Sequence, residues 1–311
     1  MDGRLQIFAG NAHPGLAKAI GDELEVALGR AEVDLWKNGE TRVKIEENVR
    51  GSDVFVVQPT SHPVDHHLME LLLFFDALKR ASAARVTAVI PYYGYAKQEK
   101  KTSGREPISA KLVANLLTVA GANRVLAVDL HAPAIEGFFD IPVDHLRATP
   151  LLARAFRREI QDEVVVVSPD AGGVARAEDF RVRAGGSLAI ISKQHPRPDA
   201  TETLEMVGDV DGKIAVIVDD MISTGGTLIQ AARLLEERGA AAVHVAATHG
   251  IFAGDALRLI EQSHIDRVFV TDTIPIPDEG VRRVQVVSVA PLLAEAIMRT
   301  HKRLSVSALF T

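Results

Sequence analysis

The chain has 311 residues, 47% hydrophobic and 24% charged, and its 35 Lys and Arg against 41 Asp and Glu leave a formal net charge of −6. That length corresponds to roughly two domains of about 150 residues, and the acidic balance argues against nucleic acid or an anionic membrane as the main partner. With no cysteine, disulfides, thiolate metal sites and a cysteine nucleophile are excluded, a usage that fits a reducing cytoplasm.

The opening MDGRLQIFAGNAHPG reaches a Gly/Asn/Pro turn after one short apolar run, so it lacks the apolar core of a signal peptide. No later stretch approaches the ~20 apolar residues of a membrane helix, and a soluble cytoplasmic protein is expected. In chain order the pattern predicts strand Leu5–Ala9, helix Leu16–Ala27, strand Val54–Gln58, helix Asp65–Ala83, strand Arg85–Ile90, helix Ser109–Ala120 and strand Arg124–Asp129. After a boundary near Pro142–Pro150 it predicts helix Pro150–Ile160 and strands Val164–Ser168, Leu188–Ser192 and Ile214–Asp219. Helix Gly226–Arg238, strand Ala242–Thr248, helix Ala256–Gln262, strands Arg267–Val270 and Val284–Val287, and helix Pro291–His301 complete the list. Continuous apolar strands between helices are the mark of parallel sheets covered on both faces, so the fold class is α/β with two doubly wound halves. The halves are expected at residues 1–145 and 146–300, with the tail 301–311 packing back on the first.

In such sheets ligands bind beyond the carboxyl ends of the strands, which directs attention to the polar residues there. The strongest signal is KIAVIVDDMISTGGTLIQAARLLEERG, in which a buried strand ends in Asp219 and Asp220 and a Ser/Thr/Gly turn opens an amphipathic helix. Small residues from Ser223 through Thr224, Gly225 and Gly226 to Thr227 let backbone N–H groups converge on an anion, and the helix start adds a favourable dipole. Two acids beside a phosphate would repel it, and they make sense if they hold sugar hydroxyls or a metal while the loop holds the phosphate. The plain alternative is an ordinary strand, turn and helix.

This segment resembles the phosphoribosyl diphosphate (PRPP) loop shared by phosphoribosyltransferases and PRPP synthetases, in which the acids contact ribose hydroxyls and the loop takes the 5-phosphate. The loop alone does not choose between the two families. WKNGETRVKIEENVRG, PYYGYAKQEKKTSGREPISAKLVANLL, DLHAPAIEGFFDIPVDHL, SPDAGG and the closing SVSALF do, and with them the chain resembles ribose-phosphate diphosphokinase, the PRPP synthetase family, nearly end to end. The resemblance implies two parallel-sheet domains of the phosphoribosyltransferase type and transfer of the β,γ-diphosphoryl group of MgATP to ribose 5-phosphate. It implies Mg2+ ligation by His131 and Asp170, ATP recognition by Trp36, Asn38 and Glu40, and approach of Lys97, Gln98 and His131 to the nucleotide. For His131 and Asp170 the competing reading is structural, for the Trp36–Glu40 stretch a solvated hairpin turn marked by Asn38-Gly39.

The same resemblance implies a homo-oligomer, a hexamer built of dimers, activated by phosphate and inhibited by ADP at Arg50, Ser82, Ser305 and Ser307, with Asn48 in place of a usual serine. Two further departures concern catalysis. Lys97 stands where the family has Arg, and in SKQHPRPDATETLEMVGDV Lys193 matches a catalytic lysine whereas His195 stands where an arginine is usual. Arg197 is expected to act with Lys193, and His195 to contribute less. The departure at His195 leaves open a non-catalytic regulatory homologue. Elsewhere, SHPVDHH reads as a solvated helix start rather than a metal site, and Tyr92, Tyr93 and Tyr95 as packing.

Overall fold

The computed structural model describes residues 3–194, 203–277 and 282–309. It divides into two compact units, one of Met1–Arg147, Thr273–Pro275 and Val289–Thr311, the other of Ala148–Asp272 and Ile276–Ser288.

The first unit opens with β1 (Leu5–Ala9) and α1 (Pro14–Leu24), followed by the hairpin strands β2 (Ala31–Leu35) and β3 (Thr41–Ile45). Then come β4 (Asp53–Val57), α2 (Val64–Arg80), β5 (Arg85–Ile90), α3 (Ser109–Ala120), β6 (Arg124–Val128) and β7 (Val143–Leu146). Its sheet runs β1-β4-β5-β6-β7, parallel throughout and in chain order. Phe8, Val54, Val56, Val86, Ala88 and Val125 share one core with Leu71, Phe74 and Leu78 of α2 and Leu117 of α3. The alternate residues Ile7, Phe55, Val57, Val89 and Leu126 are equally buried, as expected of strands covered on both faces.

The second unit contains α4 (Thr149–Glu159), β8 (Val164–Ser168), α5 (Val174–Ala184), β9 (Ser187–Gln194), β10 (Thr203–Val207), β11 (Ile214–Ile222), α6 (Gly226–Glu237), β12 (Ala242–Gly250), α7 (Ala256–Glu261), β13 (Arg267–Thr271) and β14 (Val284–Val287). The sheet order is β10-β9-β8-β11-β12-β13-β14, with only β10 antiparallel. From β8 the chain first builds toward β10 and then restarts on the other side with β11. The order therefore reverses between β8 and β11, the place where a doubly wound sheet opens a ligand crevice.

Strands β2, β3, β7 and β10 are not among the expected elements, and further features differ from expectation. β11 does not stop at Asp219, because Met221 and Ile222 remain paired with His249 and Gly250 of an equally extended β12. The two acids thus sit within a strand. Helix α5 was not foreseen, because only Ala177, Phe180 and Ala184 of its eleven residues are buried, too sparse an apolar stripe to read. The last helix, α8 (Ala290–His301), groups with the first unit and not with the second half to which residues up to 300 were assigned. It packs on α1, and Arg85 Nη2 donates to Thr300 O at 3.0 Å while Asp53, fully buried and bonded by Arg85, pairs with His301 Nδ1 at 2.8 Å. Among the described residues no helix is long and apolar enough to cross a membrane.

Candidate active site

In the second unit the crevice is built from the ends of β8 and β11. Val167 pairs with Ile217, so Asp170 and the Asp219-Asp220 pair emerge from adjacent strands at a similar level. After β8 the chain turns sharply. Ser168 Oγ donates to Asp170 O at 2.7 Å, and the Asp170 carboxylate accepts from Gly173 N at 2.8 Å. A Cβ on Gly173 would lie 3.0 Å from Ser168 Oγ, so a larger residue there would crowd the hydroxyl that closes the turn. Asp170 is left exposed at the rim.

Arg176, in the first turns of α5, was not identified from sequence. Its Nη1 lies 3.3 Å from Asp219 Oδ1 and 3.5 Å from Asp220 Oδ1, a positive charge set against the two neighbouring carboxylates. Asp219 is pushed up to about 7, first by burial and next by the Asp220 charge, with Arg176 acting in the opposite direction. Beyond the acids, Gly225 takes a left-handed conformation (φ 79°) and α6 begins without a side-chain cap. Thr224, Gly226 and Thr227 are exposed and Ser223 half-buried, while a Cβ on Gly226 would meet nothing within 4 Å. The first N–H groups of α6 have no partner inside the helix, which makes this start an anion acceptor. Lys193 lies on β9 opposite Leu204. His195 and Arg197 lie outside the described residues.

In the first unit His131 is half-buried just beyond β6. Its loop is held by His145, another residue not singled out from sequence. The buried imidazole accepts from Leu130 N through Nε2 at 2.7 Å, so Nδ1 carries the proton toward Glu136 Oε1 at 2.5 Å. Burial, reinforced by the Arg147 guanidinium, holds His145 below the usual imidazole range. Trp36, Asn38 and Glu40 form the exposed turn of the β2–β3 hairpin, closed by Trp36 N to Glu40 O at 2.8 Å and Gly39 N to Trp36 O at 2.8 Å. The Arg42 guanidinium sits 5.0 Å from the Trp36 ring centre. Lys97 and Gln98 are exposed on a single 3₁₀ turn, Ala96–Gln98, where Gln98 accepts from Ser109 Oγ at 2.5 Å. Tyr93 is buried and donates to Ala110 O at 2.9 Å, in keeping with packing.

The start of α2 is less solvated than expected. His67 is buried against Ser61 O at 2.8 Å, and His66 Nε2 lies 3.2 Å from the buried Glu70. Glu70 also accepts from Asn11 Nδ2 and Gln58 Nε2, each at 2.7 Å, and Asn11 Nδ2 donates on to Val33 O of β2 at 3.1 Å. This network ties the ends of β1 and β4 to the hairpin. Gly51 N donates to Ser82 O at 2.9 Å, placing exposed Arg50 near Ser82, and Ser305 and Ser307 meet through their hydroxyls at 2.6 Å.

Among the described residues no group of three or more His, Asp or Glu could hold a metal ion. Mg2+ is usually bound by one or two carboxylates, waters and substrate phosphates, and Asp170, an exposed carboxylate just beyond β8, fits that mode.

Paired acids and an uncapped helix start at a switch point define an α/β protein built to hold a phosphorylated ligand. Residues 5–121 match the family model for the N-terminal domain of ribose phosphate pyrophosphokinase, and residues 189–311 the phosphoribosyl synthetase-associated domain. The ribose-phosphate pyrophosphokinase of Caldanaerobacter subterraneus subsp. tengcongensis is 52% identical over 309 residues, covering 99% of this chain and 98% of that protein. The one from Bacillus subtilis is 49% identical over 311 residues, covering 100% and 98%. The crystal structure of phosphoribosylpyrophosphate synthetase from Mycobacterium smegmatis superposes with a TM-score of 0.92 at 45% identity, covering 96% of this chain and 99% of that one. The chain belongs to the ribose-phosphate pyrophosphokinase family. It is an enzyme of that family, and a non-catalytic reading is not favoured.

Proposed function

We infer that this enzyme joins the β,γ-diphosphoryl group of ATP to the anomeric hydroxyl of ribose 5-phosphate, giving PRPP and AMP for nucleotide biosynthesis. The anomeric oxygen forms a bond to the β-phosphorus, the bond from that phosphorus to the oxygen bridging the α-phosphate breaks, and the hydroxyl proton is released. The observation that carries this reading is the Asp219-Asp220 pair within β11 beside the uncapped start of α6. The acids accept ribose hydroxyls, and the backbone and hydroxyls of Ser223, Thr224, Gly225, Gly226 and Thr227 take the 5-phosphate.

Trp36, Asn38 and Glu40 recognise adenine from a neighbouring subunit, with Lys97, Gln98 and His131 toward the triphosphate. Lys193 and Arg197, with His195 in a lesser part, stabilise charge on the transferring group. His131 and Asp170 would hold Mg2+ together with substrate phosphates, and the ion when bound neutralises phosphoryl charge. The enzyme works in the cytoplasm as a homohexamer built of dimers, with phosphate and ADP as effectors at Arg50, Ser82, Ser305 and Ser307. The closeness of Arg50 to Ser82 and the Ser305–Ser307 bond support that grouping.

Incubation of the purified chain with MgATP and ribose 5-phosphate is expected to release AMP in step with PRPP. No AMP across a range of phosphate and Mg2+ would overturn the reading. ADP inhibition purely competitive with ATP would remove the separate effector site, and full turnover of Arg197→Ala would remove the role of Arg197.

A further inference from the structure

Helices α4 and α5 pack side by side in the second unit, and a groove of about 690 Å³ beside them is lined by Arg154, Arg157, Arg158 and Arg183 together with Gln161. Among the described residues no carboxylate lines it, a local inversion of charge in a chain of net −6. Structural duty accounts for part of this. Arg157 tethers helix ends, donating to Ala184 O, to Ile160 O at 3.2 Å and to Asp162 O at 2.8 Å. Arg183 stands 3.3 Å from Asp179.

Arg154 and Arg158 have no such duty. Both are exposed, they lie one turn apart on α4, and neither forms an ion pair among the described residues. Like charges at that spacing weaken a helix. The benefit of a cation at a helix C-terminus is confined to the last turn, and Arg154 precedes the last turn of α4, which ends at Glu159. Helix stability therefore does not explain the pair.

We propose that this groove binds a small anion bearing a diphosphoryl group. Two guanidiniums one turn apart on α4 and a third on α5 can each grip a pair of phosphoryl oxygens, the planar fork for which arginine is suited. The spacing provides for two adjacent phosphoryl groups, and the volume lies within the range of about 300–1,000 Å³ typical of small-molecule pockets, leaving room for an organic part beside Pro150 and Ala153. The site is separate from the crevice. Arg176 reaches Asp219 from the beginning of α5, whereas Arg183 lies about 10 Å further along that helix, toward the amino edge of the sheet.

The test uses the full chain with inorganic diphosphate and inorganic phosphate as probes, in buffer with chelator and no Mg2+, by calorimetry and thermal melting. Two binding events are expected for diphosphate. Arg154→Ala/Arg158→Ala is expected to lose one of them, with affinity at that site falling about tenfold or more, and Ser223→Ala/Thr227→Ala to weaken the other. Without ligand the double arginine variant is expected to melt at the wild-type temperature or above it, since alanine relieves repulsion and favours helix. Unchanged stoichiometry and affinity in that variant would overturn the proposal. So would a lower ligand-free melting temperature, an equal loss in the control Arg233→Ala, or phosphate binding as tightly as diphosphate. A change of oligomeric state with diphosphate binding intact would assign the arginines to an acidic surface of a second copy and equally overturn it.

Discussion

Nη1 of Arg176 lies 3.3 Å from Oδ1 of Asp219, joining the first turns of the helix after β8 to the strand that carries the acidic pair. The contact spans 43 positions of chain and keeps Asp219 from rising further than about 7. The role proposed for Asp219, accepting sugar hydroxyls, is best served by an ionised carboxylate. The activity toward ribose 5-phosphate, as kcat/KM, is therefore expected to climb with pH through about 7 and level off above it, and Arg176→Ala to move that climb to higher pH. The stability effect has the opposite sign. Because the folded-state value is raised above that of the unfolded chain, the folded form holds the proton more tightly, and the contribution of Asp219 to stability declines between about pH 4 and about pH 7. Asp219→Asn is thus expected to be more stable than wild type above pH 7, the difference closing as pH falls. Denaturant melts across that range, with a pH–rate profile, check both.

Gly225, in a left-handed conformation, joins the end of β11 to the start of α6. An Ala Cβ would find room, since its nearest neighbour is Ile229 Cδ1 at 3.7 Å, so the cost of Gly225→Ala is backbone strain of about 1–2 kcal/mol. A rise in KM for ribose 5-phosphate is expected to accompany it, because relief of the strain displaces the amides proposed to take the phosphate. Gly225→Asn is expected to recover part of both losses, asparagine tolerating this conformation better. Equal behaviour of the two variants would speak against strain as the cause.

His145 holds the loop that carries His131 by accepting from Leu130 N. In His145→Ala the buried Leu130 N–H loses its acceptor, a destabilisation of about 1–3 kcal/mol. Displacement of the loop is expected to lower kcat about tenfold to a hundredfold while KM for ribose 5-phosphate stays near wild type. His145→Gln, able to accept from Leu130 and donate to Glu136, is expected to restore much of kcat. A variant with lowered stability and normal kcat would reduce His145 to a structural residue.

Trp36 is 55% exposed and among the described residues its ring partner is the Arg42 guanidinium, so Trp36→Ala is expected to cost no more than about 1 kcal/mol of stability. If the ring stacks on adenine, KM for ATP rises about tenfold, the worth of one base-stacking contact at the low end of its range, and Trp36→Phe is close to wild type. Melting curves and KM for ATP on the three proteins separate the two effects.

Much of the acidic pair, its loop and the parallel strands was legible in the sequence because the information is local. Apolar runs such as Val164–Val167 and Ile214–Val218 reveal strands buried on both faces, and Asp219 through Thr227 is one unbroken segment. The hairpin could have been read more fully: Ala31–Leu35 and Thr41–Ile45 alternate polar and apolar residues, and Ala31, Val33, Val43 and Ile45 lean on the core. Arg176 and His145 gave less to work with. Each acts through one long-range hydrogen bond, and nothing beside it in the chain marks it out.

The sequence by itself determined the class of sheet, the central strands and most of the helices in their order, and a turn whose residue types suit phosphate and ribose, all consequences of spacing along a few consecutive residues. Only the tertiary structure decided that strand order reverses between β8 and β11, that α8 returns to the first unit through Asp53, Arg85 and His301, and that four arginines from two helices face one groove. Those outcomes depend on pairings between residues tens to hundreds of positions apart, whose partners are selected by packing and by the need to satisfy buried charge.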